Sequence, residues 1–262
     1  MEPPHEEPYE TTGAPPARAG RRPWVVGVSG ASGTPYAAAV LRALLHAGEA
    51  VDLVVSRASR LTLLDETGIS FRDAHWRDDL RAWLARGADG TLDRFEAGLP
   101  DLDAVRYWPA GDLAAGPSSG SYPARGMLVV PASTASVAGI ALGLSKDLLQ
   151  RVASVTLKER RPLVMAVRET PLSGPTLRQL VALDEAGAVV LPASPAFYAG
   201  ATDIQDLVDF VAGRVLDAAG VPHKLYRRWD GALGGAAAAG AAGTEGRAAA
   251  DRPGPRTGGA GE

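Results

Sequence analysis

Short apolar runs alternate along most of the chain with longer segments of helical periodicity. The runs at 24–29, 50–55, 126–130, 163–167 and 188–191 are too short for helices. Near-continuous apolar character over so few residues predicts strands buried on both faces, as in a parallel sheet. The segment 35–47 follows the first run, and Val40, Leu41, Leu44 and Leu45 give it one apolar face. Pro35 suits the first turn of a helix and Gly48 its end. Further helices are predicted over 57–67 (with Leu61, Leu64 and Glu66 along it), 76–86, 147–159, 173–186 and 202–219. A short helix follows Ser133 or Thr134, either of which can cap it. A short strand is expected at 105–108, a loop of little intrinsic order at 116–121, and a closing segment at 222–229. The opening order strand, helix, strand, helix predicts an α/β fold. The expectation is a three-layer, doubly wound parallel sheet, flavodoxin-like (Rossmann-type), in a single domain.

Composition sets the borders of that domain. Residues 1–22 are rich in Pro, Glu and Arg, and residues 231–262 are nearly all Ala, Gly, Pro, Arg and acids. Both read as disordered tails around one domain at 23–230. A formal net charge of -3 gives no ground for a nucleic-acid or membrane partner. Cys is absent, which excludes disulfides, thiolate metal sites and a cysteine nucleophile. None of the four His has metal-ligand spacing, so no metal is expected. No run approaches the length of a membrane span and no leader pattern opens the chain, so the expected location is cytoplasmic.

The candidate chemistry gathers where strands end. Ser29-Gly30-Ala31-Ser32-Gly33 joins a strand to a helix, where free amides and a helix N-terminus suit an anion. It is neither a Walker loop nor a dinucleotide fingerprint. Ser133-Thr134-Ala135-Ser136 repeats the arrangement on a second strand. Arg168 and Glu169 close the buried run 163–167, placing a cation and a carboxylate at the edge where open α/β sheets bind ligands. Arg160 and Arg161, by contrast, read as solvated charges at a helix C-terminus. Arg214 lies among apolar residues of the last helix and calls for an anion, from the protein or from a ligand phosphate. Glu66 and Glu169 are the carboxylates to test for perturbed ionisation. These residues predict a phosphate-bearing ligand at the carboxyl edge but no reaction.

Five stretches together resemble the UbiX-type flavin prenyltransferases. They are Ser29-Gly30-Ala31-Ser32-Gly33-Thr34-Pro35-Tyr36, Pro131-Ala132-Ser133-Thr134, Leu157-Lys158-Glu159-Arg160-Arg161-Pro162-Leu163-Val164, Arg168-Glu169-Thr170-Pro171-Leu172-Ser173 and Asp206-Leu207-Val208-Asp209-Phe210-Val211. The resemblance spans 24–229. It implies a homododecamer with sites at subunit interfaces. The implied reaction joins a dimethylallyl group from dimethylallyl monophosphate to N5 and C6 of reduced FMN. The product, prenylated FMN, serves UbiD-type decarboxylases, and no metal takes part. By position, the resemblance puts FMN contacts on Gly30, Ala31, Ser32, Ser56, Ser133, Thr134, Ala135, Ser136 and Arg168. It puts the dimethylallyl phosphate on Tyr198 and Arg214, with Lys158, Arg151 and Ser119 as further phosphate contacts and Trp229 closing the pocket. It assigns proton transfer to Glu169 and places Ser32 and Glu66 near flavin N5.

The chain also departs from that pattern. Many members have Cys-Pro-Cys-Ser-Thr-Gly where this chain has Val130-Pro131-Ala132-Ser133-Thr134-Ala135, and 67–105 matches poorly. Two other readings compete. An FMN-dependent cysteine-type decarboxylase of the same fold would characteristically use an active-site His and a loop Asn, but the chain contains no Asn. A non-catalytic FMN-binding carrier would need the 30–33 loop but neither Glu169 nor Arg214.

Overall fold

In the computed structural model, residues 21–231 are described; the two expected tails, apart from a few residues at their inner ends, lie outside them. Six strands form one parallel sheet: β1 (Trp24–Val28), β2 (Val51–Val55), β3 (Val105–Tyr107), β4 (Gly126–Ala132), β5 (Leu163–Val167) and β6 (Val189–Pro192). Their order is β3-β2-β1-β4-β5-β6. This is the flavodoxin order with one more strand, β3, beside β2. β4 runs two residues further than its apolar run predicts, through Pro131 and Ala132, with a register irregularity against β5 between Val129 and Ala132.

The apolar runs are explained by two cores, one on each face. Trp24, Val26 and Val28 of β1 and Leu128 and Val130 of β4 face one core. There they meet α1 (Thr34–His46), α3 (Trp76–Ala85) and α7 (Ile204–Ala218). The alternate residues Val25, Met127, Val129 and Met165 face the other core. α5 (Leu148–Lys158) covers it with Leu148, Leu149 and Val152. α4 (Thr134–Ala141) and α6 (Gly174–Glu185) pack together on this side. Side chains two apart share a face, so the central strands feed both cores and cannot slip by one residue without inverting them.

One helix differs from its apolar pattern. In α2 (Arg57–Thr67) only Ser59 and Leu63 are buried, while Leu61 is 72% and Leu64 47% exposed. Leu61 and Leu64 therefore belong to no core of this chain. The 116–121 stretch is also more ordered than expected, for Gly116–Ser118 forms a 3-10 turn and Pro117 is buried.

Candidate active site at the carboxyl edge of the sheet

The strand order reverses between β1 and β4, so the loops after them diverge to opposite faces and leave a crevice. Backbone hydrogen bonds tie the ends of five strands along this edge. Ser56 N–H donates to Val28 O (3.0 Å), Ser29 N–H to Pro131 O (3.2 Å), Arg168 N–H to Ala132 O (3.2 Å) and Ala193 N–H to Val167 O (2.9 Å). Ser29 is the fully buried pin of the crevice. Its hydroxyl donates to Pro131 O at 2.8 Å and accepts from Ser133 N–H at 2.7 Å. Nothing in the local sequence around Ser29 signals this role.

The two loops do different work. Gly33 caps α1 without a side chain, at φ +117, where a Cβ would come within 2.7 Å of the Tyr36 ring. The cap comes instead from Glu66. Its carboxylate accepts from Gly33 N–H (2.8 Å), Thr34 N–H (2.8 Å) and the Thr34 hydroxyl (2.6 Å). The anion expected at this helix N-terminus is thus the protein's own. Burial acts to raise the Glu66 carboxyl. Hydrogen bonds from the Ser32 and Thr34 side chains and from the Thr34 and Gly33 amides outweigh it and hold the carboxyl below its ordinary value.

The second loop is open to a ligand. Ser133 caps α4 by accepting from Ser136 N–H at 3.2 Å. The Thr134 and Ala135 amides, ahead of that bond, have no acceptor among the described residues. Arg168 stands beside them, and its buried Nε has no hydrogen-bond partner. Two free amides and an unsatisfied guanidinium suit a phosphate-bearing cofactor. Tyr36 belongs here too, although sequence reasoning gave it no role. Burial pushes its hydroxyl up, the nearby Arg168 opposes that, and Glu66 adds to it.

Two cavities flank the end of β6. One, of about 260 Å3, is lined by Arg168, Glu169, Leu180, Val190 and Ser194. The exposed Glu169 carboxylate accepts from Thr170 N–H at 3.0 Å at its rim. The other, of about 430 Å3, shares Val190, Pro192 and Ser194 with the first and is lined further by Phe210, Arg214 and Asp217. Arg214 Nη1 donates to Asp217 at 2.9 Å, so the anion it called for is an Asp one turn on. Its side chain is 51% exposed, more than its apolar neighbours predict. Tyr198 packs edge-on against Phe210 (5.6 Å) and Trp229 (5.8 Å).

The remaining predicted residues lie elsewhere. Lys158 ends α5 near the amino edge of β5 and pairs with Glu159. Arg151 Nε donates to Ser118 O at 3.1 Å, and the Ser119 hydroxyl lies 2.9 Å from that of Ser121. Arg161, read as a solvated charge, instead anchors this loop. Its guanidinium donates to Gly120 O (2.7 Å) and Tyr122 O (2.8 Å). Within one chain, Arg151, Lys158 and Ser119 form a cluster separate from Arg168 and Arg214. Among the described residues, no group of three or more His, Asp or Glu is placed to hold a metal ion, and no helix is long and apolar enough to cross a membrane.

The Flavoprotein family model matches residues 13–216. A flavin prenyltransferase UbiX of Streptomyces coelicolor is 83% identical over 214 residues, 82% of this chain and 98% of that protein. The flavin prenyltransferase UbiX of a Synechocystis species is 39% identical with the same coverage, 82% and 98%. Among solved structures, AnUbiX in complex with FMN and dimethylallyl pyrophosphate is 37% identical, with a TM-score of 0.68 over 81% of this chain and 99% of that one. A dodecameric FMN-dependent Ubix-like decarboxylase from Escherichia coli O157:H7 is 35% identical, with a TM-score of 0.66 over 79% and 99%.

Proposed function

The chain belongs to the UbiX-type flavin prenyltransferases, and from that premise we propose how its residues divide the work. The enzyme is a transferase that joins a dimethylallyl group from dimethylallyl phosphate to reduced FMN, giving prenylated FMN for a UbiD-type decarboxylase. This reading is favoured over the cysteine-type decarboxylase and the non-catalytic carrier by the identity to curated flavin prenyltransferases. The observation that carries it in the structure is the pairing of Arg168, with its unsatisfied Nε, and Glu169 just past the carboxyl end of β5, where both line one cavity.

Bound reduced FMN supplies the nucleophilic N5 and the C6 position that close the new ring. The free amides of Thr134 and Ala135 and the Arg168 guanidinium hold its phosphate, with the Ser133 and Ser136 hydroxyls beside them. Gly30, Ala31, Ser32 and Ser56 form the neighbouring wall. Glu66 keeps that wall in place, because its hydrogen bonds fix the 32–34 loop. Glu169 moves the protons of ring closure, taking one from C6 and giving one to the prenyl alkene carbon so that the flavin gains one isoprene unit overall, which its exposed carboxylate at the cavity rim is free to do. Arg214 and Tyr198 receive the departing phosphate, and donors aimed at developing charge lower the barrier to its departure. Trp229 shields the allylic group from water.

Arg151, Lys158 and Ser119 cannot reach that phosphate from the same chain. They complete the site of a second copy, in a homododecamer like the one described for the E. coli relative. The exposed Leu61, Leu64, Leu142 and Phe197 supply apolar surface for such contacts. The proposed catalytic domain spans 23–230, and the proposed location is the cytoplasm.

The direct test is anaerobic incubation with reduced FMN and dimethylallyl monophosphate, followed by mass spectrometry of the flavin. A flavin heavier by one isoprene unit is expected. An unchanged mass with both the mono- and the diphosphate would overturn the reading.

A further inference from the structure

Arg214 and Tyr198 share the role of phosphate holder, yet no bond joins them. The segment after α7 links them, and its hub is Asp217. The Asp217 carboxylate accepts four donors: Arg214 Nη1 (2.9 Å), the Tyr226 hydroxyl (2.5 Å), His223 Nε2 (2.9 Å) and Arg228 Nη2 (2.6 Å). A carboxylate has about four lone-pair sites, so this one is filled. Three of the donors come from residues 222–229, which cross α7 as a strap. The strap is fitted to its bed. A Cβ at Gly213 would come within 2.5 Å of the Tyr226 ring. Tyr226 packs on Phe210 at 4.8 Å, Phe210 on Tyr198 at 5.6 Å, and Tyr198 on Trp229 at 5.8 Å. Arg227 Nη2 then donates to Tyr198 O at 3.1 Å, tying the strap to the loop that carries Tyr198.

The bonding pattern leaves Arg214 half committed. Its bonds to Asp217 and to the Tyr226 hydroxyl (3.4 Å) both use Nη1. The Nε–Nη2 edge has no partner among the described residues, and this edge is the fork that fits two oxygens of a phosphate. Two guanidiniums against one carboxylate also leave a local positive charge for an anion to meet. A surface ion pair alone would contribute little. Here the Asp217 side chain is only 17% exposed, and His223, one of its donors, is 3% exposed.

We propose that Asp217 is a positioning residue for the donor phosphate: it pins the 222–229 strap onto α7, fixes the plane of Arg214 with its free edge available, and through the strap holds Trp229 against Tyr198. The inference rests on the phosphate role given to Arg214 and Tyr198 above. It is specific to the allylic phosphate, because none of the network touches the crevice between β1 and β4.

The test uses the full-length protein and its Asp217→Asn variant. Three readings are taken: the Kd for FMN by flavin fluorescence, the KM and kcat for dimethylallyl monophosphate, and the Kd for that phosphate by calorimetry. KM and the phosphate Kd are expected to rise about tenfold and kcat to fall, because Arg214 and Tyr198 also meet the departing charge, with FMN affinity within about twofold of wild type. A general structural defect would instead lower FMN affinity as well. Should Asp217→Asn fail to fold, Tyr226→Phe keeps the ring and removes one donor, and a rise of about threefold in the same two constants is expected. Unchanged phosphate affinity in a folded variant overturns the proposal, as does a parallel loss of FMN affinity. Wild-type protein that leaves the flavin mass unchanged strikes the reaction rather than Asp217, whose effect is still read by phosphate calorimetry.

Discussion

Lys158 and Arg168 stand at opposite ends of β5, one ahead of its amino end and the other just past its carboxyl end. Five residues of parallel strand span roughly 16 Å, and the side chains turn further apart, Lys158 to Glu159 and Arg168 to the crevice. A single active site cannot draw on both within one chain. Separately inactive Lys158→Ala and Arg168→Ala variants, co-expressed, should therefore regain activity in mixed oligomers. Random assortment gives intact residues at about a quarter of sites. Recovery of about that fraction is expected from prenylated-flavin yield after co-purification. No recovery, with mixed oligomers shown to form, would return both residues to one chain.

Glu66 gives a prediction on stability and its pH dependence. Glu66→Ala strips the cap from Gly33 and Thr34, at a cost of about 1–2 kcal/mol in urea unfolding at neutral pH. The folded-state carboxyl lies below the ordinary value of 4.5. Its stabilisation is thus fully present above that pH and is lost as pH falls through the lower folded value. The gap between wild type and variant should be constant from pH 6 upward and shrink toward pH 3. A gap independent of pH would mean that packing, not charge, holds the loop.

The contrast between these two residues shows what the sequence makes legible. The strands could be read because five apolar runs stand between helical segments, and the Ser133 cap because it bonds three residues ahead. The role of Glu66 is set by contacts 32 and 33 residues away, which no local pattern displays. Arg161 looked solvated for the same reason, since the carbonyls it holds come from a loop 39 and 41 residues earlier. Leu61 and Leu64 have helical spacing but face outward, because periodicity reports an apolar stripe without saying whether its partner is the same chain.

That outward stripe makes assembly testable. Light scattering should give a mass near twelve times 27.1 kDa. Leu61→Lys with Leu64→Lys introduces charge on the stripe and is expected to lower the mass while leaving the circular dichroism of the fold intact. An unchanged mass would place α2 against solvent.

Glu169→Gln should separate binding from chemistry. The side chain keeps its size and lies outside the α4 amides and Arg168, so FMN affinity is expected to stay within about twofold of wild type. Loss of a positioned base typically costs about 10²-fold or more in rate. Single-turnover assays under anaerobic conditions should show that loss in appearance of the product flavin, and a wild-type rate would remove Glu169 from the proton transfer.

Arg161→Lys tests whether the 116–121 loop must be held from within its own subunit. Lys keeps the charge but replaces a planar fork, which meets Gly120 O and Tyr122 O together, with a point donor. One carbonyl then loses its partner and the Ser119 loop loosens. Arg161 touches neither the crevice nor Arg168, so FMN affinity should not change. The KM for dimethylallyl monophosphate should rise about tenfold if Ser119 helps hold that phosphate in a neighbouring site. The same experiment separates charge from geometry. Raising ionic strength weakens a long-range charge effect in variant and wild type alike. A KM difference between the two that persists at high salt therefore assigns Arg161 its place through the loop it fixes, and an unchanged KM in the variant, which keeps the charge, assigns it to the field of the basic cluster.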